Sequence, residues 1–491
     1  MDIVSCIADT LHIPPEYVTD DLTYQSISEW SSLNHVTLIL KLEEMFGQHI
    51  NSTLFLQLTS VKAIKEYAQR FATLDETQRA AETEAQATNV REERAEIASG
   101  GPIYRGLAGV AFDTSTITEV DGIRGRLSYR GYAIEDLVAQ ASFAEVAHLL
   151  LYQDLPDPEQ LAAFEARLCT AQELPHTVMT LLHEMVDAHP VDALRTAVSL
   201  LAAHDPEASN TSPEALRRRG IRLMGQVMQI ITTHERLRRG QTLLAPRPYL
   251  SYAANFLYLL TGREPTPLME HILNADLILH ADHSANASAF VARIVMSTQA
   301  DLQAAITAAM AAFAGALHGG AVEQVMPMLQ EIGEPEYVAT YVQRRREQHL
   351  PIMGFGHRVY RTEDPRATQM RRLLQDLSRA CHEPRWLAIT DALIDAMQPY
   401  ARHGIHINVD FYASVIYHLL GIPQDIAISL FILGRMAGWL AQIEEQVENN
   451  ILIRPLLHYV GQRDRAYIPL RERSSRLTKS YAAETPVLAC R

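Results

Sequence analysis

Apolar residues recur at helical intervals over most of the chain, in two blocks separated by a stretch without such a pattern. In the first block the pattern predicts helices over residues 3–11, 33–46 and 61–71, the last preceded by a Thr-Ser pair suited to an N-cap. These segments are close in sequence and rich enough in apolar positions to pack on one another. We therefore expect a compact, mainly helical domain over residues 1–72.

The stretch from residue 73 to 99 contains no glycine, proline or aromatic residue and is rich in glutamate, alanine and threonine. With so few large apolar side chains it cannot bury much surface, which is typical of a charged linker. Gly100 and Gly101 end this composition. The sequence therefore predicts a linker over residues 73–101.

The second block opens with residues 106–132, where glycines punctuate an alternating pattern that predicts a few short strands. Beyond them the spacing is repeatedly helical. The predicted helices are residues 142–151, 174–188, 192–203, 216–236, 253–260, 285–297, 304–313 and 388–397. We therefore predict a mainly α chain, with a large second domain over residues 102–475 and a C-terminal tail over residues 476–491.

Size and charge narrow the possible functions. The chain has 491 residues, 47% of them hydrophobic, which is enough for a large core and more than one domain. Its net charge of −15 argues against binding to nucleic acids or anionic membranes. The first 72 residues contribute nine acidic and four basic side chains, so the small domain is acidic by itself.

The cysteines and the N-terminus indicate the compartment. Cys6, Cys169, Cys381 and Cys490 are scattered without a C-x-x-C pair, which is typical of reduced cysteines rather than disulfides or a zinc site. The N-terminus lacks the basic region of a signal peptide, and no apolar run suggests a membrane span. We expect a soluble cytoplasmic protein.

The first candidate for chemistry is the segment P-I-M-G-F-G-H-R-V-Y-R-T-E-D-P-R, residues 351–366. Its glycines permit close approach of the backbone to a ligand, and His357 would follow such a turn with a side chain suited to proton transfer. Arg366 follows a rigid Asp-Pro pair and could bind a carboxylate through two hydrogen bonds. A surface loop with an incidental histidine explains this segment equally well.

Other candidate side chains occur in short motifs farther along: His280, His283, His318, Asp410, Arg435 and Arg454. Each has an ordinary structural interpretation as a core histidine, a helix cap or a surface arginine. The pair His280 and His283 could bind zinc, but no third ligand follows at a convincing spacing. Jointly the set suits one chemistry: a carboxylate base removes an α-proton from a thioester, neutral donors polarise the oxygens, and arginines bind a carboxylated acceptor.

A resemblance assigns these roles. The blocks G-L-A-G-V, H-P-V-D-A-L-R-T, L-I-L-H-A-D-H, L-H-G-G-A, I-M-G-F-G-H-R-V-Y-R, N-V-D-F-Y and L-I-R-P occur in the order found in the citrate synthase family. Residues from about 106 to 460 closely resemble that family. The resemblance implies a mostly helical, two-lobed subunit, a homodimer, and a metal-free acyltransferase that joins an acyl thioester to oxaloacetate.

The family's functional residues map onto this chain as follows. Asp410 looks like the base for the thioester's α-carbon, His318 like the donor to the thioester carbonyl, and His357 like the group that polarises and protonates the ketone. The expected ligands of oxaloacetate are His283, Arg366, Arg435 and, from the partner subunit, Arg454. The expected coenzyme A surface is the loop of residues 350–354 with Arg358, Arg361 and Asn408.

The chain departs from the family pattern at several positions, and several of these changes lie close to the thioester side. The departures are Ser284 for Glu, Ala316 for Pro, Val322 for Asn, His406 and Ile407 for Tyr-Pro, and Gln442 for His. No catalytic or arginine position is lost. The identity of the acyl donor is therefore the part of the assignment that the sequence leaves most open.

The small domain has a resemblance of its own. The segment E-W-S-S-L-N-H-V-T-L-I-L-K-L-E-E-M-F-G places Ser32 at a helix start, where a serine serves as an N-cap or accepts a phosphate group. It resembles the acyl carrier protein family, which implies a four-helix bundle carrying 4′-phosphopantetheine on Ser32. The preceding residue is Ser31, where that family usually has Asp. A phosphopantetheinyl transferase and an acyl-loading enzyme would then be partners.

Three functions follow from these resemblances. The first is a citrate-synthase-type enzyme whose fused carrier delivers the acyl group or receives the citryl product, since a tethered thioester reaches a high effective concentration. The second is an ordinary citrate or 2-methylcitrate synthase that uses free acyl-CoA and carries an idle domain. The third is a non-catalytic carrier or scaffold, against which the retained Asp410, His318 and His357 argue.

Overall fold

The chain folds into two compact units. A computed structural model of the protein describes residues 2–24, 26–27, 29–30, 32–46, 50, 54, 57–72, 103–107, 109–210, 212–348, 350–357, 359–360, 362–401 and 405–473. The larger unit comprises Phe112–Pro455, and the smaller comprises Met1–Ala111 with Leu456–Arg491. The predicted linker and the predicted tail lie outside the described residues.

The smaller unit contains three α-helices in its described part: α1 (Ile3–Leu11), α2 (Ser32–Phe46) and α3 (Val61–Ala72). They match the three helices predicted from apolar spacing. Their facing positions form a separate core that includes Ile7, Leu11, Leu38, Leu42 and Ile64, all buried. The helical period thus brings one apolar face of each helix to a common centre.

The larger unit begins with a small antiparallel sheet of order β1-β2-β3, as predicted from the glycine-punctuated segment. Its strands are β1 (Thr118–Asp121), β2 (Arg126–Tyr129) and β3 (Tyr132–Ala133). Tyr129 ends β2 with a buried side chain, whose hydroxyl lies 3.1 Å from the carbonyl oxygen of Ile278 and 3.0 Å from that of Asp282. This contact joins the sheet to the turn that carries His283.

The rest of the larger unit is helical. Its described helices are α4 (Ile134–Gln140), α5 (Phe143–Tyr152), α6 (Pro158–Thr170), α7 (His176–Glu184), α8 (Pro190–Leu201), α9 (Pro213–Arg238), α10 (Tyr252–Thr261), α11 (Pro267–His280), α12 (Ala287–Ser297), α13 (Leu302–Phe313), α14 (Val322–Ile332), α15 (Val338–Glu347), α16 (Pro365–Cys381), α17 (Pro384–Ala401), α18 (Val409–Leu419) and α19 (Ala427–Glu448). The unit is therefore mainly α, as predicted.

Local sequence signals set many of the helix starts. Ser142 forms a capping box with Glu145 at α5, and Asp157 forms one with Gln160 at α6. Ser, Thr, Asp or Asn also caps α9, α10, α11, α12, α13, α16 and α18 through its side chain. The helix predicted over residues 174–188 is shorter in the structure because Pro175 is its N-cap and residue 185 leaves the helix.

Helix α19 is the central element of the larger unit and packs against α9, α11 and α12. Length and composition alone would let the segment Gln424–Glu448 cross a membrane, but its apolar stretch is wholly buried within the fold. Sequence analysis predicted neither a helix nor a membrane span over this segment. Its burial is that of a core helix, and its polar residues contact the site described below.

Gly438 in α19 explains how closely that helix approaches the turn that follows α11. Its backbone N–H donates to the carbonyl oxygen of Ala281 at 3.0 Å. A Cβ at this position would overlap that oxygen and the carboxylate of Asp282. Only glycine fits here without displacing the turn, so this contact fixes the position of the neighbouring His283.

Candidate active site

Five parts of the larger unit contribute the candidate side chains: the turn after α11, the loop before α14, the segment leading into α16, the start of α18, and α19. The structure brings His283 and His357 together, with ring centroids 5.2 Å apart. The positive charges of Arg366 and Arg435 both act on Asp410, and Arg435 also acts on His318. Six of the predicted residues therefore share one electrostatic environment.

His357 is held by backbone donors. Its Nδ1 accepts hydrogen bonds from the N–H groups of Val359 and Tyr360, each at 3.0 Å. Because a backbone N–H can only donate, Nδ1 carries no hydrogen, and in the neutral ring the hydrogen is on Nε2. Burial, followed by the charge of Arg366, lowers the pKa of His357 to about 4. His357 is thus a neutral Nε2–H donor near pH 7.

His283 is also neutral. It is buried, and burial together with the charges of Arg366 and Arg435 holds its pKa well below the usual value. Its Nε2 lies 3.2 Å from the hydroxyl of Tyr360, a residue that sequence analysis did not select. The H-R-V-Y motif contained this tyrosine, but only the folded chain shows that its side chain contacts His283.

Arg366 is 4% exposed and is held in place by the N-cap of its own helix. Its Nε and Nη2 donate to the two carboxylate oxygens of Asp364, at 3.0 and 2.8 Å. Burial alone would raise the pKa of Asp364, but the charge and hydrogen bonds of Arg366 outweigh it and bring that pKa below the usual value. The Asp-Pro-Arg turn therefore fixes the guanidinium by a bidentate pair.

Arg435 is 2% exposed and lies on α19. Its Nε donates to the carbonyl oxygen of His280 at 2.5 Å, and among the described residues no hydrogen bond from its Nη atoms is seen. Burial lowers its pKa to about 10, an effect that nearby Asp282 opposes and Arg366 reinforces. Among the described residues the two buried guanidinium groups have one ion-pair partner, Asp364, which pairs with Arg366. This arrangement favours an anionic ligand with more than one carboxylate.

His318 contacts a different set of residues. Its Nε2 lies 3.4 Å from the backbone N of Ser288 and 3.0 Å from the Ser288 hydroxyl, which also accepts from Trp439 Nε1 at 3.1 Å. Because the Ser288 N–H can only donate, Nε2 is an acceptor and the neutral ring carries its hydrogen on Nδ1. Burial, then the charge of Arg435, lowers the pKa of His318 to about 4.

The glycines after His318 have a packing role. A Cβ on Gly319 would overlap the ring of Phe313, whose centroid is 4.8 Å from that of His318. The chain then makes a 3₁₀ turn over Gly319–Ala321 and enters α14. His318 itself is kept neutral by burial and by the charge of Arg435.

Asp410 is the second residue of α18 and is half-buried. Its backbone N–H donates to the Asn408 side chain at 3.1 Å, while Asn408 Nδ2 donates to the carbonyl oxygen of Gly356 at 3.1 Å. Burial raises the pKa of Asp410 to about 7, against the opposing charges of Arg366 and Arg435. A carboxylate with that pKa is suited to accept a proton from a carbon acid near neutrality.

The remaining predicted residues are placed less directly. Arg454 is exposed in the segment after α19. Asn408 is the N-cap of α18, and the side chains of Arg358, Arg361 and Ser32 lie outside the described residues. Within the described ranges no group of three or more His, Cys, Asp and Glu side chains is placed to hold a metal ion. A cavity of about 350 Å³ lies elsewhere, lined by Cys169, Gln172 and Gln229 among others.

The fold and these side chains define a class of enzyme. A carboxylate of raised pKa, two neutral imidazole donors and two buried arginines can deprotonate a carbon acid, polarise two carbonyl groups and bind a carboxylated acceptor. That inventory is the one needed to form a carbon–carbon bond between a thioester and a 2-oxo acid.

Known proteins identify the family. A sequence profile described as "Citrate synthase, C-terminal domain" matches residues 106–456. "Citrate synthase 2" of Bacillus subtilis is 40% identical over 372 residues, covering 75% of this chain and 99% of that protein. "2-methylcitrate synthase 2" of Corynebacterium glutamicum is 39% identical over 377 residues, covering 76% and 98%. The chain belongs to the citrate synthase family, and it is an acyltransferase of the citrate synthase type.

A solved structure agrees with this assignment. The ternary complex of carboxymethyl coenzyme A and oxaloacetate with citrate synthase from the archaeon Thermoplasma acidophilum is 32% identical and has a TM-score of 0.72. The match covers 76% of this chain and 100% of the archaeal chain. The larger unit therefore has the citrate synthase fold.

The raised pKa of Asp410 predicts a stability cost at high pH. Its folded-state pKa of about 7 exceeds the ordinary 3.8, so the associated stability is present below pH 3.8 and is lost as the pH rises through 7. Asp410→Asn should raise the free energy of unfolding by about 1–3 kcal/mol at pH 8, a range reduced for partial exposure. Urea unfolding at pH 5 and pH 8 measures this.

The increase in the free energy of unfolding that Asp410→Asn causes should be clearly smaller at pH 5 than at pH 8. Asp395→Asn, which removes a carboxylate from the exposed face of α17, is the matched control and should show no such difference. An equal effect of Asp410→Asn at both pH values would contradict the raised pKa.

Proposed function

We propose that the enzyme condenses an acyl thioester with oxaloacetate, or a related 2-oxo acid, to give citrate or an alkylcitrate. The observation that carries this proposal is the pKa of about 7 at Asp410, together with two buried arginines and three neutral histidines in the same site. Relatives named citrate synthase and 2-methylcitrate synthase match the chain about equally well. We therefore keep both acetyl and longer acyl groups as donors.

In this proposal the acceptor's carboxylates bind Arg366 and Arg435, with His283 beside them. Asp364 already holds two donors of Arg366, which leaves the guanidinium in a fixed orientation for a carboxylate ligand. Fixed donors lose little conformational entropy when a ligand binds. His357 Nε2–H would donate to the ketone oxygen of the bound acceptor and polarise it.

The donor side would use Asp410 and His318. Asp410 accepts the α-proton of the thioester, and His318 Nδ1–H donates to the thioester carbonyl oxygen as the enolate forms. The enolate carbon attacks the ketone carbon, and the former ketone oxygen takes the Nε2 proton of His357. His357 then regains a proton from solvent, and Asp410 releases the α-proton to solvent, which restores both groups. Water then cleaves the product thioester, giving the carboxylic acid and a free thiol. Asn408, Arg358 and Arg361 are proposed to contact coenzyme A.

The pKa of Asp410 predicts the acid limb of the rate profile. A base must be ionised to act, so kcat should fall as the pH drops below about 7. Asp410→Asn should lower kcat by about 10²–10⁴-fold. Stopped assays of thiol release from pH 5.5 to 9 test both statements, with Asp395→Asn as the control. A wild-type rate that is flat down to pH 5.5 would contradict this role.

The smaller unit is proposed to be an acyl carrier domain over residues 1–72, joined by the linker 73–101 to a synthase domain over 102–475 with a tail over 476–491. Ser32 is the first residue of α2, and the unit has its own helical core, both of which suit a carrier. A 4′-phosphopantetheine group on Ser32 would supply a thiol that holds an acyl group as a thioester. A linker of about 27 residues spans on the order of 30 Å as a coil.

The carrier proposal is tested by comparing phosphopantetheinylated wild type with Ser32→Ala. Thiol release and citrate formation from oxaloacetate and acetyl-CoA are measured for both, with the intact mass of each protein. If the carrier takes part, turnover should require the modified serine, and its mass should rise by that of an acyl group. Equal turnover without a mass change would instead mean an ordinary acyl-CoA synthase with an idle domain.

We also propose a cytoplasmic homodimer in which Arg454 completes the partner's acceptor pocket. Arg454 is exposed in this chain although Arg366 and Arg435 are buried. The residues flanking it in sequence include exposed apolar side chains: Ile451, Leu452, Leu456 and Leu457. An exposed apolar segment around a candidate ligand supports contact with a second copy.

Mixed dimers test this arrangement. Arg454→Ala and Asp410→Asn should each be nearly inactive alone, because each damages every site. Co-expressed, half of the dimers are mixed and one of their two sites is intact, so activity should return to about a quarter of wild type. Co-expression of Asp410→Asn with His357→Ala is the control. Both residues belong to the site of their own subunit, so each subunit of a mixed dimer carries one damaged site and no activity should return. If co-expression of Arg454→Ala with Asp410→Asn restored no activity, a shared site would be contradicted.

A further inference from the structure

Tyr360 is a buried residue of the acceptor pocket to which neither the sequence motifs nor the proposed mechanism gives a role. It is 1% exposed. Its ring centroid lies 4.6 Å from that of His357 and 5.5 Å from that of His283. It therefore contacts both histidines that are proposed to bind the 2-oxo acid.

Packing explains the ring of Tyr360 but not its hydroxyl. A phenylalanine would fill the same volume without the cost of burying a hydroxyl away from water. Among the described residues, the partner of this hydroxyl is the Nε2 of His283, at 3.2 Å. The polar atom of Tyr360 is thus satisfied by a proposed substrate ligand.

The backbone of Tyr360 acts on the second histidine. Its N–H donates to His357 Nδ1 at 3.0 Å, beside the N–H of Val359. One residue therefore holds His357 through its main chain and His283 through its side chain. Burial raises the pKa of the Tyr360 hydroxyl, which keeps its hydrogen available throughout the working pH range.

We propose that Tyr360 is a positioning residue for acceptor recognition: its hydroxyl holds His283 Nε2 and thereby fixes the orientation and N–H position of the imidazole that binds the dicarboxylic 2-oxo acid. A neutral imidazole carries one N–H. Because Nε2 is the acceptor within reach of this hydroxyl among the described residues, the hydroxyl donates to Nε2 and the ring hydrogen stays on Nδ1. Without the hydroxyl, the His283 ring can rotate and exchange its hydrogen between the two nitrogens. This inference rests on the proposed acceptor role of His283.

The test is Tyr360→Phe, which keeps the ring contacts with both histidines and removes only the hydroxyl. The KM and the calorimetric Kd for oxaloacetate should rise about tenfold, the usual effect of one lost hydrogen bond. The KM for acetyl-CoA should stay within about twofold and kcat within about threefold, since the donor side is untouched.

Tyr252→Phe is the matched control. It also removes one buried tyrosine hydroxyl, which donates to the carbonyl oxygen of Met224 at 3.0 Å in another part of the same unit. Its effect on stability should resemble that of Tyr360→Phe, while its effect on oxaloacetate binding should be absent. If Tyr252→Phe weakened oxaloacetate binding as much as Tyr360→Phe does, the effect would come from a general loss of packing, and the inference would be overturned.

A double-mutant cycle shows whether Tyr360 acts through His283. In a His283→Ala background, Tyr360→Phe should weaken oxaloacetate binding by no more than about twofold further. A full tenfold effect in that background would overturn the inference, because the hydroxyl would then act without the histidine.

The same measurements separate the two hypotheses. If His283→Ala leaves oxaloacetate binding unchanged, the proposed acceptor pocket itself is wrong. If His283→Ala weakens binding and Tyr360→Phe does not, the pocket stands and the role of Tyr360 fails.

Discussion

The burial of two guanidinium groups in one pocket is the constraint on which the site depends. Arg366 and Arg435 are nearly inaccessible to water, and the carboxylate of Asp364 pairs with Arg366. Isolated buried cations are costly, so such a pocket is stable only where hydrogen bonds and nearby carboxylates compensate. Asp364, the carbonyl oxygen of His280 and the charge of Asp282 provide that compensation. The remaining positive potential is available for a substrate anion.

The same two charges set the chemistry of their neighbours. They add to burial in lowering the pKa of the histidines, which keeps the imidazoles neutral and able to donate a hydrogen bond. They oppose burial at Asp410, which holds its pKa near 7 instead of higher. Burial and these two charges together therefore give neutral donors and an ionisable base within a single pocket.

Sequence analysis could predict the parts of this architecture that local rules control. Apolar spacing located helices such as α5, α9 and α13, since this signal acts within one or two turns. The candidate residues His318, His357 and Asp410 followed from motifs. The partners Ser288 and Tyr360 could not be found this way, because their contacts with His318 and His283 join segments 30 and 77 residues apart in the chain. Burial, which is the largest cause of the pKa shifts of the three histidines and of Asp410, also exists only in the folded chain.

Gln442 shows how a departure from the family pattern fits the fold. Its Nε2 donates to Asp282 Oδ2 at 3.1 Å, while its Oε1 accepts from Arg293 Nε at 2.7 Å. The amide thus links the turn before His283 to α12 with one donor and one acceptor, both of which are uncharged at every pH. A histidine here would offer the same two contacts only as one tautomer of its neutral form. Because burial raises the pKa of Asp282, a partner that does not titrate keeps this turn in one arrangement across the pH range in which Asp410 ionises.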